Sequence, residues 1–319
     1  MSTEGETLPP KSTAPPLIVS RTWTGSKGTM AVMRDFSANH DWLALNTITL
    51  RKQCDFGTIV DACARYQIRA IAPWRDEIAR IGVAKAARHI RDAGLSISGY
   101  CRAGMLVADA ARRKEVREDN RRAIDEAKEL GAAPVVVVVG GLPQYSRPGS
   151  RPSKDLAGAR EMAIDELAEL FAYAKTVGAP LALEPMHPMH AAERGCINTL
   201  RHALDICDRL DPEQGGMLGV TIDVYHTWWD PELADQIERA GRARLLAFHV
   251  CDWLVPTVHM LNDRGMMGDG VIDIRRIRGW VESAGYEGFA EIEIFSDRWW
   301  QRPMEDVLRT CIARHRRFV

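Results

Sequence analysis

Eight short apolar runs, each followed by an amphipathic stretch, place the tightest constraint on what this chain can fold into. They are LALNTITL (43–50), IRAIAP (68–73), LSISGY (95–100), PVVVVVGG (134–141), LALEP (181–185), GVTIDV (219–224), LLAFHV (245–250) and FAEIEIF (289–295). Short runs rich in β-branched and aliphatic residues, with little polar alternation, read as strands buried on both faces. Parallel strands need a helical crossover between them, and the intervening segments supply it at 117–131, 155–178 and 199–210. Gly94, Gly131, Gly178 and Gly285 stand where helices should stop before the next strand. Eight strand–helix units over about 280 residues match a closed (β/α)8 barrel. A doubly wound sheet should carry a Gly-rich phosphate turn after its first strand, and TITLRKQCDFG has none. The expectation is a single barrel over 41–319. It is preceded by a polar, Pro-rich extension (1–40, beginning MSTEGETLPPKSTAPP) that cannot bury a core.

Charge is nearly balanced, with 42 Lys and Arg against 43 Asp and Glu. No global field therefore draws the chain to nucleic acid or an anionic membrane. No window approaches the roughly 18 apolar residues of a membrane span, and the N-terminus lacks the pattern of a secretory signal or transit peptide. The seven cysteines (54, 63, 101, 196, 207, 251 and 311) form no close pairs, which suits reduced thiols in the cytoplasm.

The last four strands each end on a residue that a buried strand should not contain. LALEPMHPMH, GVTIDVYHTWWDP, RLLAFHVCDW and AEIEIFSDRWW deliver Glu184, Asp223, His249 and Glu293. A buried carboxylate or imidazole costs several kcal/mol unless it is paired, protonated or metal-bound. A barrel gathers its strand C-termini at one mouth, so four such residues mark a site. Three carboxylates and one imidazole form a hard, oxygen-rich set suited to Mn²⁺ above all, or to Mg²⁺ or Co²⁺. Glu291 shares a strand face with Glu293 by period-two alternation, and is the reserve ligand.

Other residues fall near the same mouth. His187 and His190 follow Glu184, and both are candidate proton carriers. Trp228, Trp229, Trp253, Trp299 and Trp300 lie on loops beyond strands six to eight, where they offer apolar faces to a sugar ring or an aromatic group. Trp74 and Arg102, after strands two and three, would complete that wall. Arg264 and GMMGDG (265–270) follow strand seven. Arg264 would hold a substrate oxygen or phosphate, or else pair at the surface with Asp263 or Asp269. Gly140-Gly141 permits close backbone approach, and 144–155 (QYSRPGSRPSKD) reads as a lid or surface loop. Asp211 and Asp230, each followed by Pro, read as turn or helix-start residues, and Cys196, Cys207 and Cys251 as packing.

The order Glu, Asp-x-x-His, His, Glu resembles the xylose-isomerase-like barrel superfamily, over about residues 43–315. That superfamily spans sugar-phosphate isomerases and epimerases, ketose 3-epimerases, inosose isomerases and dehydratases, and endonuclease-IV-type enzymes. The resemblance implies that Glu184, Asp223, His249 and Glu293 are metal ligands. It prefers Glu293, which precedes Ile-Phe as in the epimerase-like motif. It makes His226 a residue behind the ligands or against substrate, and places an Arg and a Gly-acid-Gly turn near the site. His190 stands where ketose epimerases often have a second acidic residue.

A divalent ion on adjacent oxygens of a keto sugar makes the neighbouring C–H acidic. Isomerisation, epimerisation and elimination all start from that step. The leading expectation is a keto-sugar isomerase or epimerase in which Glu184 or Glu293 is the base and His187, His190 or His226 assists. The barrel is expected to act as a homo-oligomer. The nearest alternative, also by resemblance, is a lyase like the large subunits of C-glycoside deglycosidases, which cleave 3-oxo-glycosides with a small β-rich partner. A keto-inositol dehydratase is a further one. Endonuclease-IV-like repair needs more histidines and a basic surface, and a non-catalytic sugar-binding barrel would leave substrate C–H bonds intact.

Overall fold

The computed structural model describes residues 33–132, 134–143 and 153–319. The strands are β1 (Leu43–Asn46), β2 (Ala70–Ala72), β3 (Ser96–Ile97), β4 (Tyr100–Gly104), β5 (Val135–Val138), β6 (Leu181–Leu183), β7 (Leu218–Asp223) and β8 (Leu245–Val250). A two-stranded antiparallel ribbon, β9 (Asp252–Trp253) and β10 (Arg264–Gly265), precedes the last strand, β11 (Ala290–Ile292). One parallel sheet runs β3-β2-β1-β11-β8-β7-β6-β5-β4. Its two ends are the same stretch of chain, since only Ser98 and Gly99 separate β3 from β4. β3 pairs with β2, β4 pairs with β5, and a Trp74–Cys101 bridge ties β4 back to the β2 side. Strand three is thus one bent stave, and the barrel closes with eight.

All eight expected strands are present, most of them trimmed. The first turns after Asn46 into a 3-10 turn (Thr47–Thr49), because the Asn46 side chain accepts the Ile48 amide and caps it. Strand three instead runs longer than its apolar run, to Gly104, so Arg102 lies within the strand and not after it.

Helices cover the outside at Phe56–Arg65, Arg113–Leu130, Leu156–Val177, Leu200–Leu210 and Ile274–Ser283, among others. Asp55, Asp155, Thr199 and Asp273 cap four of them by accepting a first-turn amide. Gly131 and Gly178 end two of them in the left-handed conformation. The core is continuous from barrel to helices, and every residue of β1, β2, β5, β6, β7 and β11 is buried.

Residues 1–32 of the expected extension lie outside the described residues. Its last part packs on the helices: Arg34 reaches Glu282 at 2.9 Å, and Phe36 stacks on His315 at 4.8 Å between ring centroids. Most of the expected lid (144–152) also lies outside the described residues, while Asp155 caps the helix that follows. Among the described residues no helix is long and apolar enough to cross a membrane, and all seven cysteines are free.

Candidate metal centre

The sheet register carries the four proposed ligands to one place. Asp223, the last residue of β7, pairs with His249 of β8, and His249 pairs with Glu291 of β11. Glu184 and Glu293 each stand one residue past a strand, yet their amides continue the ladder to Val137 O at 3.0 Å and Val250 O at 3.2 Å. One donor atom from each of Glu184, Asp223, His249 and Glu293 lies within 4.8 Å of the others. Asp223 and His249 are sealed, at 0% and 1% exposure, while Glu184 and Glu293 keep a slight opening at 7% and 5%.

His249 Nδ1 sits 3.5 Å from Glu184 Oε1 and 3.6 Å from Glu293 Oε2. Glu184 Oε1 and both ring nitrogens of His249 are buried without a hydrogen-bond partner among the described residues. Orphaned buried acceptors converging on one point are costly in a native fold. A divalent cation satisfies them, and the donor set of three carboxylates and an imidazole fits one. The electrostatics agree. Burial pushes the Glu184 carboxyl up to about 7, the neighbouring Glu293 and Asp223 charges push the same way, and contact with His249 opposes them. Burial would raise Asp223 too, but Arg264, His226, His249 and the Tyr225 amide together outweigh it and hold that carboxyl below its usual range.

Arg264 is the main revision to the sequence expectation. It is not a surface arginine on Asp263 or Asp269. The β9–β10 ribbon turns it inward, at 2% exposure, where Nη1 lies 2.9 Å from Asp223 Oδ2 and 3.0 Å from Glu293 Oε2. The rings of Tyr225 and Phe295 flank the guanidinium at 4.5 and 5.1 Å. Asp252 makes the turn rigid by accepting the amides of Trp253, Gly268, Gly270 and Ile272.

His226 is buried directly behind Asp223. Its Nδ1 lies 3.2 Å from the His187 amide, and its Nε2 lies 3.1 Å from Arg264 Nη2 and 3.6 Å from Asp223 Oδ2. Burial keeps this ring neutral. His187 is half-buried, stacked on Trp253 at 4.8 Å and edge-on to Trp229 at 5.7 Å; burial lowers its pKa to about 4. His190 is fully buried, with Nε2 at 3.2 Å from Met260 O, so the loop after strand seven covers it.

Trp228 and Tyr225 also pack on Trp253, at 5.8 and 4.7 Å, so His187, Trp228, Trp229 and Trp253 form one half-exposed aromatic wall. Trp299 and Trp300 belong to a different seam: they tie the loop after β11 to the loop after β1 through Gln53 and Ile48. Trp74 meets Phe295 edge-on at 5.5 Å. Arg102 makes no hydrogen bond or ion pair among the described residues, and burial together with the charge of Arg194 holds its pKa down.

Gly140 bridges Gly195 and donates to Arg194 O at 2.9 Å. A Cβ on Gly141 would collide with the Ala192 carbonyl, so this glycine serves the close backbone contact that the sequence led us to expect. Asp211 closes its helix and takes the buried Arg244 at 2.8 Å, and Asp230 accepts the Glu232 amide.

The sequence reading missed Asn46. Its Nδ2 donates to Glu291 Oε1 at 2.8 Å and to Glu293 Oε1 at 3.2 Å, and its Oδ1 accepts the Trp74 indole at 2.7 Å. A polar residue at the end of the run LALN carries the same signal as Glu184 at the end of LALE, in a neutral form that is easier to overlook.

A family model described as the xylose isomerase-like TIM barrel matches residues 58–315. The chain belongs to the xylose isomerase-like TIM barrel family. Among solved structures in this fold, the protein SMc04130 from Sinorhizobium meliloti 1021 is 52% identical, with a TM-score of 0.82 over 87% of this chain and 98% of that one. The IolI protein, solved with a bound zinc atom, shares the barrel at 17% identity, with a TM-score of 0.72 over 85% of this chain and 95% of its own. An inosose isomerase of Halalkalibacterium halodurans is 24% identical over 151 residues, or 46% of this chain. The match spans about half (51%) of that curated relative.

Proposed function

We propose that this family member is a divalent-cation-dependent enzyme that removes the proton beside the carbonyl of a keto sugar, with isomerisation or epimerisation as the outcome. The observation that carries this reading is the set of four convergent, buried donors, two of them orphaned, at the C-terminal mouth of a barrel. Glu184, Asp223, His249 and Glu293 would hold the cation, and their oxygen-rich character favours Mn²⁺ over Zn²⁺. When bound, such an ion supplies Lewis acidity to the sugar carbonyl.

The protein side chains then divide the work. Glu184 and Glu293 keep a slight exposure that Asp223 and His249 lack, which supports them as the carboxylates that would take and return a carbon-bound proton. Arg264 holds Asp223 and Glu293 in place and presents a fixed positive charge to developing oxyanion character. His226 braces Asp223 from behind. His187, Trp228, Trp229 and Trp253 form an apolar wall for the sugar's C–H face, and His187 is the histidine nearest that face for proton transfer. His190 lies under the Met260 loop and steadies it.

That aromatic wall supports a second reading: a lyase that expels an aryl aglycone from a 3-oxo-glycoside, acting with a small second subunit. An aglycone needs flat apolar surface, which His187 provides together with Trp253 at 4.8 Å and Trp229 at 5.7 Å.

Metal analysis followed by NMR in D₂O separates the readings. The panel is free ketoses, ketose phosphates and 3-oxo-glycosides. Deuterium wash-in at one carbon, with appearance of the epimer or isomer, is the expected result. Aglycone release would favour the lyase. Absence of exchange with every member of the panel, in protein loaded with Mn²⁺, would refute enolisation.

A further inference from the structure

Carboxylates flank His249 on both edges of its ring, at ion-pair distance and short of a hydrogen bond. Nδ1 faces Glu184 and Glu293, while Nε2 lies 3.4 Å from Glu291 Oε1 on the opposite edge of the ring. Glu291 is as buried as His249 and is fixed at both oxygens: Oε1 accepts from Asn46 Nδ2 at 2.8 Å, and Oε2 accepts from Ser98 Oγ at 2.7 Å. Asn46 cannot flip, because its Oδ1 already accepts the Trp74 indole at 2.7 Å and the Ile48 amide at 3.1 Å. The same Asn46 amide nitrogen reaches Glu293 Oε1 at 3.2 Å, so it spans the carboxylate behind the histidine and a carboxylate inside the cluster.

We infer that Glu291 is a positioning residue for His249, holding the proton of the imidazole at Nε2 so that the Nδ1 lone pair faces the cluster, with Asn46 setting the spacing of Glu291 and Glu293. This rests on reading the cluster as a cation site. An imidazole that ligates through one nitrogen normally donates from the other, and a carboxylate there fixes the ring and strengthens the ligand. The alternative is that Glu291 is one more buried polar group with only a structural role. An apolar residue of similar size is then neutral or stabilising in its place, and cation binding does not change.

The test uses the full chain, stripped of metal, with Co²⁺ as the probe. Affinity is read by calorimetry and ligand geometry by the visible absorption of the Co²⁺-loaded protein. Glu291→Leu is expected to weaken Co²⁺ binding by about 10- to 100-fold and to alter the spectrum. Glu291→Gln keeps an acceptor toward Nε2 and a donor toward Ser98, and is expected to restore the wild-type spectrum and bind within about tenfold of wild type. Asn46→Ala leaves Glu291 present but unanchored, and should shift affinity in the same direction as Glu291→Leu. It provides the readout if Glu291→Leu does not fold. Wild-type affinity and spectrum in Glu291→Leu, or in Asn46→Ala where the leucine variant is lost, overturns the inference while leaving the cation site intact. Wild-type protein that takes up no Co²⁺ overturns the cluster reading itself, and the inference with it.

Discussion

Replacing Arg264 with Leu should destabilise the metal-free protein and, at the same time, tighten its hold on a cation. The guanidinium is 2% exposed and contacts Asp223 Oδ2 and Glu293 Oε2 at 2.9 and 3.0 Å. Removing one partner of a buried ion pair leaves an uncompensated charge and costs about 3–5 kcal/mol. Asp223 would retain only the Tyr225 amide and the more distant His226 ring. In a chain of this size that loss lowers Tm by roughly 10 °C, taking about 2–4 °C per kcal/mol. A divalent cation neutralises the same carboxylates and no longer meets a neighbouring positive charge. Its affinity for Arg264→Leu should therefore rise by about tenfold or more. Differential scanning calorimetry with and without Mn²⁺ reads both effects, since ligand stabilisation grows as RT ln(1 + [L]/Kd). The Mn²⁺-induced rise in Tm should be larger in the variant than in wild type. Equal stability of the two metal-free proteins, or a smaller rise in the variant, refutes the reasoning.

Other outcomes follow from the same structure. Burial, reinforced by His40, Arg278 and Arg34, lowers the His315 pKa to about 3, and its ring nitrogens have no partner among the described residues. The folded ring stays neutral while the unfolded one protonates near 6.5. Its contribution to stability is therefore complete above about pH 6.5 and is lost as pH falls toward 3, by roughly 3 kcal/mol between pH 7 and 4. Urea unfolding of His315→Leu across that range should show a flatter acid limb than wild type; parallel curves would exclude the assignment. Trp253→Ala removes the ring on which His187 and Tyr225 stack. It should raise KM more than it lowers kcat for the substrate found in the NMR panel, and an unchanged KM would remove Trp253 from the substrate wall. Asp223→Asn should abolish both calorimetric Mn²⁺ binding and proton exchange, and retention of either would contradict its place as a ligand.

Much of this was readable in advance because of two periodicities. Continuous apolar runs marked strands buried on both faces, and glycines marked where helices stop, so all eight staves were found. Charge at the end of an apolar run then singled out Glu184, Asp223, His249 and Glu293, because burying charge without a partner is too costly to be accidental. The same criterion passes over Asn46, which has no charge, and it treats Glu291 and Glu293 alike, since both face one side of the strand. Arg264 was misjudged in one of its two readings for a related reason. It lies 11 residues beyond Trp253 in a loop without periodicity, and its burial depends on the pairing of β9 with β10.

The sequence alone determined that the chain forms alternating strands and helices, and that four strand ends carry groups in need of a cation or a partner. Local propensity and the cost of buried charge are written residue by residue, so no three-dimensional knowledge was required. Tertiary structure alone decided which nitrogen of His249 faces the cluster, which glutamate stands behind it, and that a distant arginine pairs with two of its carboxylates. Those are distances between side chains on different staves. They follow from how the barrel closes and how its register sets each strand against the next.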